Sequence, residues 1–307
     1  MDENISPENQ ELMNRAKMET KQKNWHDAAE TLATLYEQVQ TFEVNYRLVT
    51  ALFMDEQYQL ASSYADDFLL NYLDDESNFR MVVALAVQNQ NFVYAQQLAV
   101  LWDDLNVVED VLQEIRQAED RAQETMKTTL DTIARQFYHM SDYDLIAQRD
   151  RYESARHLPV AQFVIGAKFL LIDPYALPII RATLLEDIQK LQIDESIKYR
   201  WLDDEIYTVR LTEITPLTDS DIFEEAIALL ENRLGHDDPI ALEMLSHQLR
   251  IELTFLYPQV SDVIVDVEKW VDSTVARYYN HFFDEEPNDQ KQWHKKVNFL
   301  TESFFEN

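Results

Sequence analysis

One pattern of apolar residues occurs three times between residues 25 and 102, and it constrains the fold more than any other feature of the chain. Each copy begins with an aromatic residue, which is Trp25, Tyr58 or Phe92, and continues with apolar residues at +3, +7 and +10. These offsets place an apolar stripe along one helix that starts near the aromatic residue. The copies are 33 and 34 residues apart. A period of about 34 residues corresponds to one helix-turn-helix unit per repeat, so the pattern predicts stacked helix pairs.

The pattern resembles the tetratricopeptide repeat (TPR) family, in which such helix pairs stack into a superhelix. The residues at +3 are Ala28, Ala61 and Ala95, and their small side chains let neighbouring helices approach closely. The match is to this packing skeleton, because residues such as Asp55-Glu56-Gln57 fill the turn where the family usually has a glycine. The resemblance implies an all-α fold, a TPR-like α-α superhelix in which antiparallel helix pairs form a right-handed solenoid.

Apolar periodicity extends the helical prediction to the whole of residues 1–192. We expect repeat units near residues 9–41, 42–75, 76–109, 127–159 and 160–192. About seventeen extra residues separate the third unit from the fourth, and they either lengthen one helix or insert an unpaired helix. No proline or glycine interrupts the apolar steps of three and four from Val107 to Tyr138. We therefore favour one long helix around residues 107–138.

Strand periodicity marks the next segment, residues 193–217. Within Ile206–Ile214, Tyr207, Val209 and Leu211 alternate with more polar residues, which is typical of a half-buried strand. Residues 198–202 provide a partner strand across a turn at 203–204. We therefore predict one small β-hairpin insertion.

Residues 218–307 are predicted to form a C-terminal helical domain that caps the solenoid. A capping signal at 218–221 starts the first helix, which ends at Leu234 with Gly235 as its C′ residue. Asp238-Pro239 starts the second helix, and Ser261-Asp262 opens the third. The last helix covers Asp289–Phe305.

The composition excludes several classes of chemistry. Gly166 and Gly235 are the only glycines, so the glycine-rich loops that bind phosphate cannot be formed, and the absence of cysteine excludes disulfides and thiol chemistry. Residues 1–10 are acidic and contain no apolar stretch, which argues against a signal peptide. The most apolar run, residues 158–172, is too short to span a bilayer. We expect a cytoplasmic protein that needs no cofactor and does not insert into a membrane.

Charge indicates the class of partner. The chain has 57 acidic and 26 basic residues, which gives a net charge of −31. Such a field repels nucleic acid and anionic membranes and attracts cationic molecules. We therefore expect no direct binding of nucleic acid.

The polar clusters of the chain do not predict a catalytic site. The acidic runs at 203–205 and 284–286 are more typical of solvated turns than of acid/base pairs. Glu243 and His247 are four residues apart on one predicted helix, with His236 nearby, but they fall short of the ligand set of a metal site. We expect neither a metal site nor enzymatic activity.

The TPR resemblance implies a ligand groove lined by the first helix of each pair. Carried over by position, the groove residues are Met13, Lys17, Tyr46, Thr50, Phe53, Arg80, Ala84 and Val87. The competing interpretation is that some of these side chains only cover the core. TPR domains of co-chaperones use several cationic side chains to hold an acidic peptide terminus, but Met13, Glu43 and Ser77 stand at equivalent positions here.

These observations predict a non-catalytic scaffold whose concave acidic groove binds a neutral or basic segment of a peptide or protein. Two alternatives remain open at this point. One is a peptide-sensing TPR regulator, and the other is an acidic nucleic-acid mimic that inhibits a basic protein.

Overall fold

A computed structural model describes residues 6–235 and 237–305. The protein is predominantly helical, at 72% helix, with a small two-stranded antiparallel sheet. It forms two compact units. The first contains the described residues up to Leu130 together with Arg156–Val160, and the second contains Asp131–Ala155 and the described residues from Ala161 onward. The predicted domain boundaries at 192/193 and 217/218 both fall inside the second unit.

The first unit is built from helices that pack against their neighbours along the chain. They are α1 Pro7–Lys21, α2 Trp25–Tyr36, α3 Phe42–Met54, α4 Tyr58–Asp66, α5 Leu69–Tyr72, α6 Glu76–Gln88, α7 Phe92–Ala99 and α8 Leu105–Thr125. Three-residue turns at 22–24, 55–57 and 89–91 join α1 to α2, α3 to α4 and α6 to α7. Such short connections make each pair antiparallel. The pairs agree with the first three predicted units, and the predicted aromatic residues begin α2, α4 and α7.

The three turns share one backbone conformation, although none contains a glycine. Their left-handed residues, with φ of 58°, 59° and 57°, are Lys23, Glu56 and Gln90. In each turn the next N–H donates to the carbonyl five residues earlier, at 3.0, 2.9 and 2.9 Å. This is the Schellman closure of a helix C-terminus. The repeat therefore includes its turns as well as its apolar stripe.

Small residues bring the paired helices together, as the pattern predicts. Ala28, Ala61 and Ala95 have no exposed surface. A buried polar residue also links the helices, since Asn45 of α3 donates to the Tyr64 carbonyl at 2.7 Å and accepts from the Tyr72 hydroxyl at 2.8 Å. These bonds satisfy a side chain that would otherwise be costly to bury.

The single long helix expected around residues 107–138 is wrong. Met126 adopts φ −125° and ψ 21° at the end of α8, and a new helix, α9 Lys127–Tyr138, follows it. The hydroxyl of Thr125 donates to the Arg121 carbonyl at 2.7 Å, and two more threonines follow at 128 and 129. β-Branched residues and such side-chain bonds to the backbone both weaken a helix locally.

The segment Arg156–Val160 completes the first unit although it is distant in sequence. The Val93 N–H donates to the Arg156 carbonyl at 3.4 Å, and the Val160 N–H donates to Glu119 Oε1 at 2.7 Å. Nδ1 of His157 lies 3.2 Å from the Gln90 carbonyl. These polar contacts bind the segment to the α7 and α8 region.

The second unit contains the remaining elements together with residues 131–138 of α9. They are α10 Leu145–Ala155, α11 Val160–Leu170, α12 Pro178–Lys190, β1 Ser196–Arg200, β2 Ile206–Arg210, α13 Asp221–Leu234, α14 Pro239–Leu256, α15 Val260–Val263, α16 Val267–Tyr278 and α17 Asn288–Phe305. The first residue of α11 belongs to the segment of the first unit described above. Within residues 6–235 and 237–305, no helix is long and apolar enough to cross a membrane.

The predicted β-hairpin is confirmed. β1 and β2 pair antiparallel with Tyr199 opposite Tyr207, and the buried β1 residues Ile197 and Tyr199 alternate with exposed Ser196 and Lys198. β1 covers Ser196–Arg200 rather than residues 198–202. β2 ends at Arg210 rather than at Ile214, because a 3-10 turn occupies 211–213.

The C-terminal helices begin close to the predicted positions, with two corrections. Gly235 has φ −56°, so it is not a left-handed C′ residue. The predicted start at 261–262 yields only the single turn α15, and the longer helix α16 begins at Val267. Asp266 caps α16 by accepting the Lys269 N–H at 3.0 Å.

Candidate functional site

Three helices of the first unit place their outward side chains next to one another. Thr50 Oγ1 of α3 lies 4.0 Å from Met81 Sδ of α6, and Arg80 Nη1 lies 3.4 Å from Glu114 Oε1 of α8. We call this surface the α3–α6–α8 face. Its members are Glu43, Tyr46, Arg47, Thr50, Phe53, Glu76, Arg80, Met81, Ala84, Val87 and Glu114.

Six of the eight predicted groove residues lie on this face and are partly exposed. They are Tyr46, Thr50, Phe53, Arg80, Ala84 and Val87. Lys17 is exposed on α1. Met13 is only 6% exposed and belongs to the hydrophobic core, so its side chain packs inside the unit.

Aromatic neighbours hold the two rings of the face in place. The Tyr46 ring lies 6.2 Å from the rings of both Phe42 and Tyr72. The Phe53 ring meets Tyr58 edge-on, at 5.4 Å and 69°. Such aromatic pairs add about 0.5–1.5 kcal/mol each beyond area burial. The two rings are therefore partly buried and fixed before any ligand arrives.

Both arginines of the face are already ion-paired. Arg47 Nη2 lies 3.0 Å from Glu43, and Arg80 Nε lies 2.8 Å from Glu76. The hydrogen bond to Glu76 raises the pKa of Arg80, and the charge of Glu114 adds to that effect. Three carboxylates thus meet two guanidinium groups. The face therefore carries a negative surplus, and each arginine already has a carboxylate partner.

Sequence reasoning missed the contribution of α8 to this face. Glu114 lies 34 residues after Arg80, which is one repeat length, so the period itself contained the signal. The extra residues after the third unit were instead interpreted as one long helix around residues 107–138. Met81 was missed because Thr50 touches it from the neighbouring helix, 31 residues away.

The second unit contains a buried charged cluster formed by α14, α16, α17 and residue 286. Nδ1 of His294 lies 2.8 Å from Glu286 Oε1, and Nε2 lies 3.7 Å from Glu252 Oε2. The imidazole stacks on Trp270 with ring centroids 3.8 Å apart. Glu252 also accepts from Arg277 at 2.8 Å. The expectation that residues 284–286 form only a solvated turn is therefore wrong for Glu286.

Electrostatics keep this cluster charged despite its burial. Burial acts to raise the pKa of Glu252, but His294, Arg277 and a hydrogen bond from Gln248 together lower it to about 2. Burial acts to lower the pKa of His294, but the two carboxylates outweigh it and raise the pKa. His294 and Glu252 are almost completely inaccessible. This arrangement is suited to a structural role, because a substrate has no access to either group.

The structure adds nothing to the candidate metal site at Glu243 and His247. No group of three or more metal-binding side chains is present among the residues that the structure describes. Glu243 and His247 lie on α14, and His236 lies outside the described residues.

Comparisons with known proteins identify no relative. No protein-family model, no curated protein and no solved structure matches the chain.

Proposed function

We propose that this protein is a non-catalytic scaffold in which the first unit, as part of a TPR-like right-handed solenoid, binds a neutral or basic segment of a peptide or protein. The proposed binding site is the α3–α6–α8 face. The observation that carries the proposal is the juxtaposition on this face of two pre-positioned aromatic rings, Tyr46 and Phe53, with arginines that are all ion-paired.

The aromatic rings supply the part of the affinity that does not depend on salt. Partly buried aromatic residues are common anchors at protein interfaces because they bury a large area and lose little conformational freedom. Tyr46 and Phe53 are two helical turns apart on α3. A bound segment can therefore place apolar side chains against both rings and against Val87 of α6.

The carboxylates supply the preference for a cationic partner. Glu43, Glu76 and Glu114 lie on the same face as the aromatic rings, where they pair with Arg47 and Arg80, and the whole chain has a net charge of −31. Attraction of this kind acts mainly on the association rate and weakens as salt screens it, with a Debye length of about 8 Å at physiological ionic strength.

The same face supports peptide binding better than it supports mimicry of a nucleic acid. A nucleic-acid mimic needs carboxylates spaced along one continuous surface, whereas Thr50, Phe53, Ala84 and Val87 interrupt the acidic residues here. A peptide-sensing TPR regulator would use the same face to hold its peptide, and it stays open as the alternative.

A pull-down from native lysate at low salt identifies a partner, and a double variant then tests the site. Tyr46→Ala with Phe53→Ala should weaken binding of the identified segment by about tenfold or more, equivalent to about 1.4 kcal/mol or more. The loss should be the same at 50 and 300 mM salt, measured by fluorescence anisotropy. Tyr175→Ala is the matched control, since Tyr175 is an exposed aromatic residue in the second unit. Unchanged affinity in the double variant would place the interface elsewhere.

A further inference from the structure

The second unit exposes large apolar side chains where α14 lies beside the end of α16. Ile240 is 71% exposed and Met244 is 56% exposed, and they are one turn apart on α14. The Tyr278 hydroxyl of α16 lies 3.9 Å from Met244 Sδ. Tyr279 is also exposed. We call Ile240, Met244, Tyr278 and Tyr279 the α14–α16 patch.

Contacts between these side chains make the patch one surface rather than scattered exposed residues. The rings of Tyr278 and Tyr279 meet edge-on at 4.9 Å. The Tyr279 hydroxyl donates to Asp238 Oδ2 at 2.9 Å, and Asp238 is the N-cap of α14, two residues before Ile240. Contiguous apolar surface on a folded unit commonly marks an interaction site. Methionine suits such a site because its flexible thioether adapts to a partner.

The rim of the patch is acidic. Asp237, Asp238 and Glu243 lie on or just before the first turns of α14, and the nearby arginines are committed to other carboxylates. Arg277 of α16 lies 2.8 Å from buried Glu252, and Arg233 of α13 lies 2.6 Å from Asp272. The carboxylates at the rim are therefore not neutralised by these cations.

We propose that the α14–α16 patch is a second docking site, and that its occupant is a cationic amphipathic helix of a partner protein. Apolar side chains at i and i+4 of that helix lie against Ile240, Met244 and Tyr278, as in other helix-in-groove interfaces. Its lysines and arginines pair with Asp237, Asp238 and Glu243. This site is separate from the α3–α6–α8 face and does not depend on binding there.

Charge decides between this occupant and a second copy of the chain. A homodimer through the patch places identical rims of carboxylates against each other, in a molecule with a net charge of −31. Like charges facing each other oppose association, whereas a cationic helix gains from the same field.

A second exposed pair in the same unit provides the matched control. Ile165 and Phe169 of α11 are 57% and 46% exposed and are also four residues apart. A cation, Lys168, lies between them in sequence and pairs with Glu195 at 2.5 Å. This pair has comparable apolar exposure without an acidic rim of the same kind.

The test uses the full chain and a synthetic 18-residue peptide of leucine and lysine, arranged with helical apolar periodicity and labelled with a fluorophore. Anisotropy titrations at 50 mM salt give Kd for the wild type, for Ile240→Ser with Met244→Ser, and for the control Ile165→Ser with Phe169→Ser. We expect the patch variant to bind at least tenfold more weakly and the control to stay within twofold of the wild type. A leucine–glutamate peptide of the same pattern should not bind.

Cross-linking locates the bound peptide without relying on any variant. A photoreactive leucine analogue in the peptide should label residues 240–244 and 278–279 of the wild type. Labelling elsewhere, or a patch variant that binds like the wild type, overturns the proposal. Light scattering should give the 36.3 kDa mass of a monomer for the wild type. If the wild type is a dimer and the patch variant is a monomer, the patch serves self-association instead.

Discussion

Nδ1 of His294 lies 2.8 Å from Oε1 of Glu286, and both side chains are buried in the second unit. Glu252 lies on the other side of the imidazole and is completely buried. Buried charges of this kind are tolerated only when each has a partner. The cluster therefore ties the stability of the second unit to the protonation of its members.

The free energy of unfolding should be highest between about pH 5 and 6.5, and it should decrease at both lower and higher pH. The pKa of His294 is raised above 6.5 in the folded protein, so its contribution is fully present below 6.5 and is lost as pH rises through the raised value. The pKa of Glu252 falls from 4.5 to about 2, so its contribution is present above 4.5 and is lost as pH falls toward 2. Urea unfolding at fixed pH values from 3 to 9 measures the decrease toward acidic pH (the acidic limb) and the decrease toward alkaline pH (the alkaline limb).

His294→Gln should remove the imidazole contribution to the alkaline limb and cost about 3–5 kcal/mol, because it leaves Glu286 without its cation and Glu252 with Arg277 alone. His139→Gln is the control, since His139 is exposed and pairs only at the surface, 3.6 Å from Asp142. An alkaline limb that is identical in His294→Gln and the wild type contradicts the assignment of that limb to His294.

Overpacking at the repeat alanines should destabilise the first unit. Ala61 has no exposed surface and stands at the close approach of α4 to its neighbours. Ala61→Leu should cost about 1–3 kcal/mol. Ser63→Leu adds the same side chain at an exposed position of α4 and should change stability by no more than about 0.5 kcal/mol. Equal thermal midpoints for Ala61→Leu and the wild type count against the alignment of the repeats.

Gly166 of α11 makes room for an aromatic stack between α9 and α11. The rings of Phe137 and Phe163 are 5.4 Å apart and nearly parallel, and a Cβ at position 166 lies 2.6 Å from Phe137 Cδ1. Gly166→Ala should cost about 1–3 kcal/mol, since the ring must move. In a double-mutant cycle, Phe137→Leu should relieve most of that cost. Additive costs in chemical denaturation contradict a direct clash.

Replacing a left-handed turn residue with glycine should stabilise the protein. Gln90 has φ 57°, a conformation that costs a non-glycine residue about 1–2 kcal/mol, while glycine loses about 0.5–1 kcal/mol in added unfolded-state entropy. Gln90→Gly should therefore gain up to about 1 kcal/mol. Ala84→Gly, inside α6, should lose about 1 kcal/mol. Urea unfolding curves of the two variants measure both changes in the free energy of unfolding. A decrease in stability in both variants contradicts the prediction.

The repeat pattern predicted helix positions well because local periodicity determines them. Trp25, Tyr58 and Phe92 begin helices as expected, and the alternation at Tyr207 and Val209 located the hairpin. Local signals also placed the start of α14, where Asp238 and Pro239 act together.

The features that were missed depend on distant partners or on small differences in local energy. Nothing near Glu286 indicates that its partner His294 also contacts Glu252, since Glu252 is 42 residues away from His294 in the chain. The interruption at Met126 contains no proline or glycine and follows from weak threonine preferences. Met13 has the spacing of a groove residue, but its side chain lies in the core.

The segment Arg156–Val160 delays completion of the first unit during translation. When Leu130 leaves the ribosome, Glu119 still lacks the Val160 N–H, and Val93 still lacks the Arg156 carbonyl. The first unit can complete these bonds only about thirty residues later, after the ribosome has made residues 131–155 of the second unit. Synthesis of the second unit therefore begins before the first unit is complete. A nascent chain that pauses near residue 130 has a first unit that lacks the contacts of Arg156–Val160 with α7 and α8.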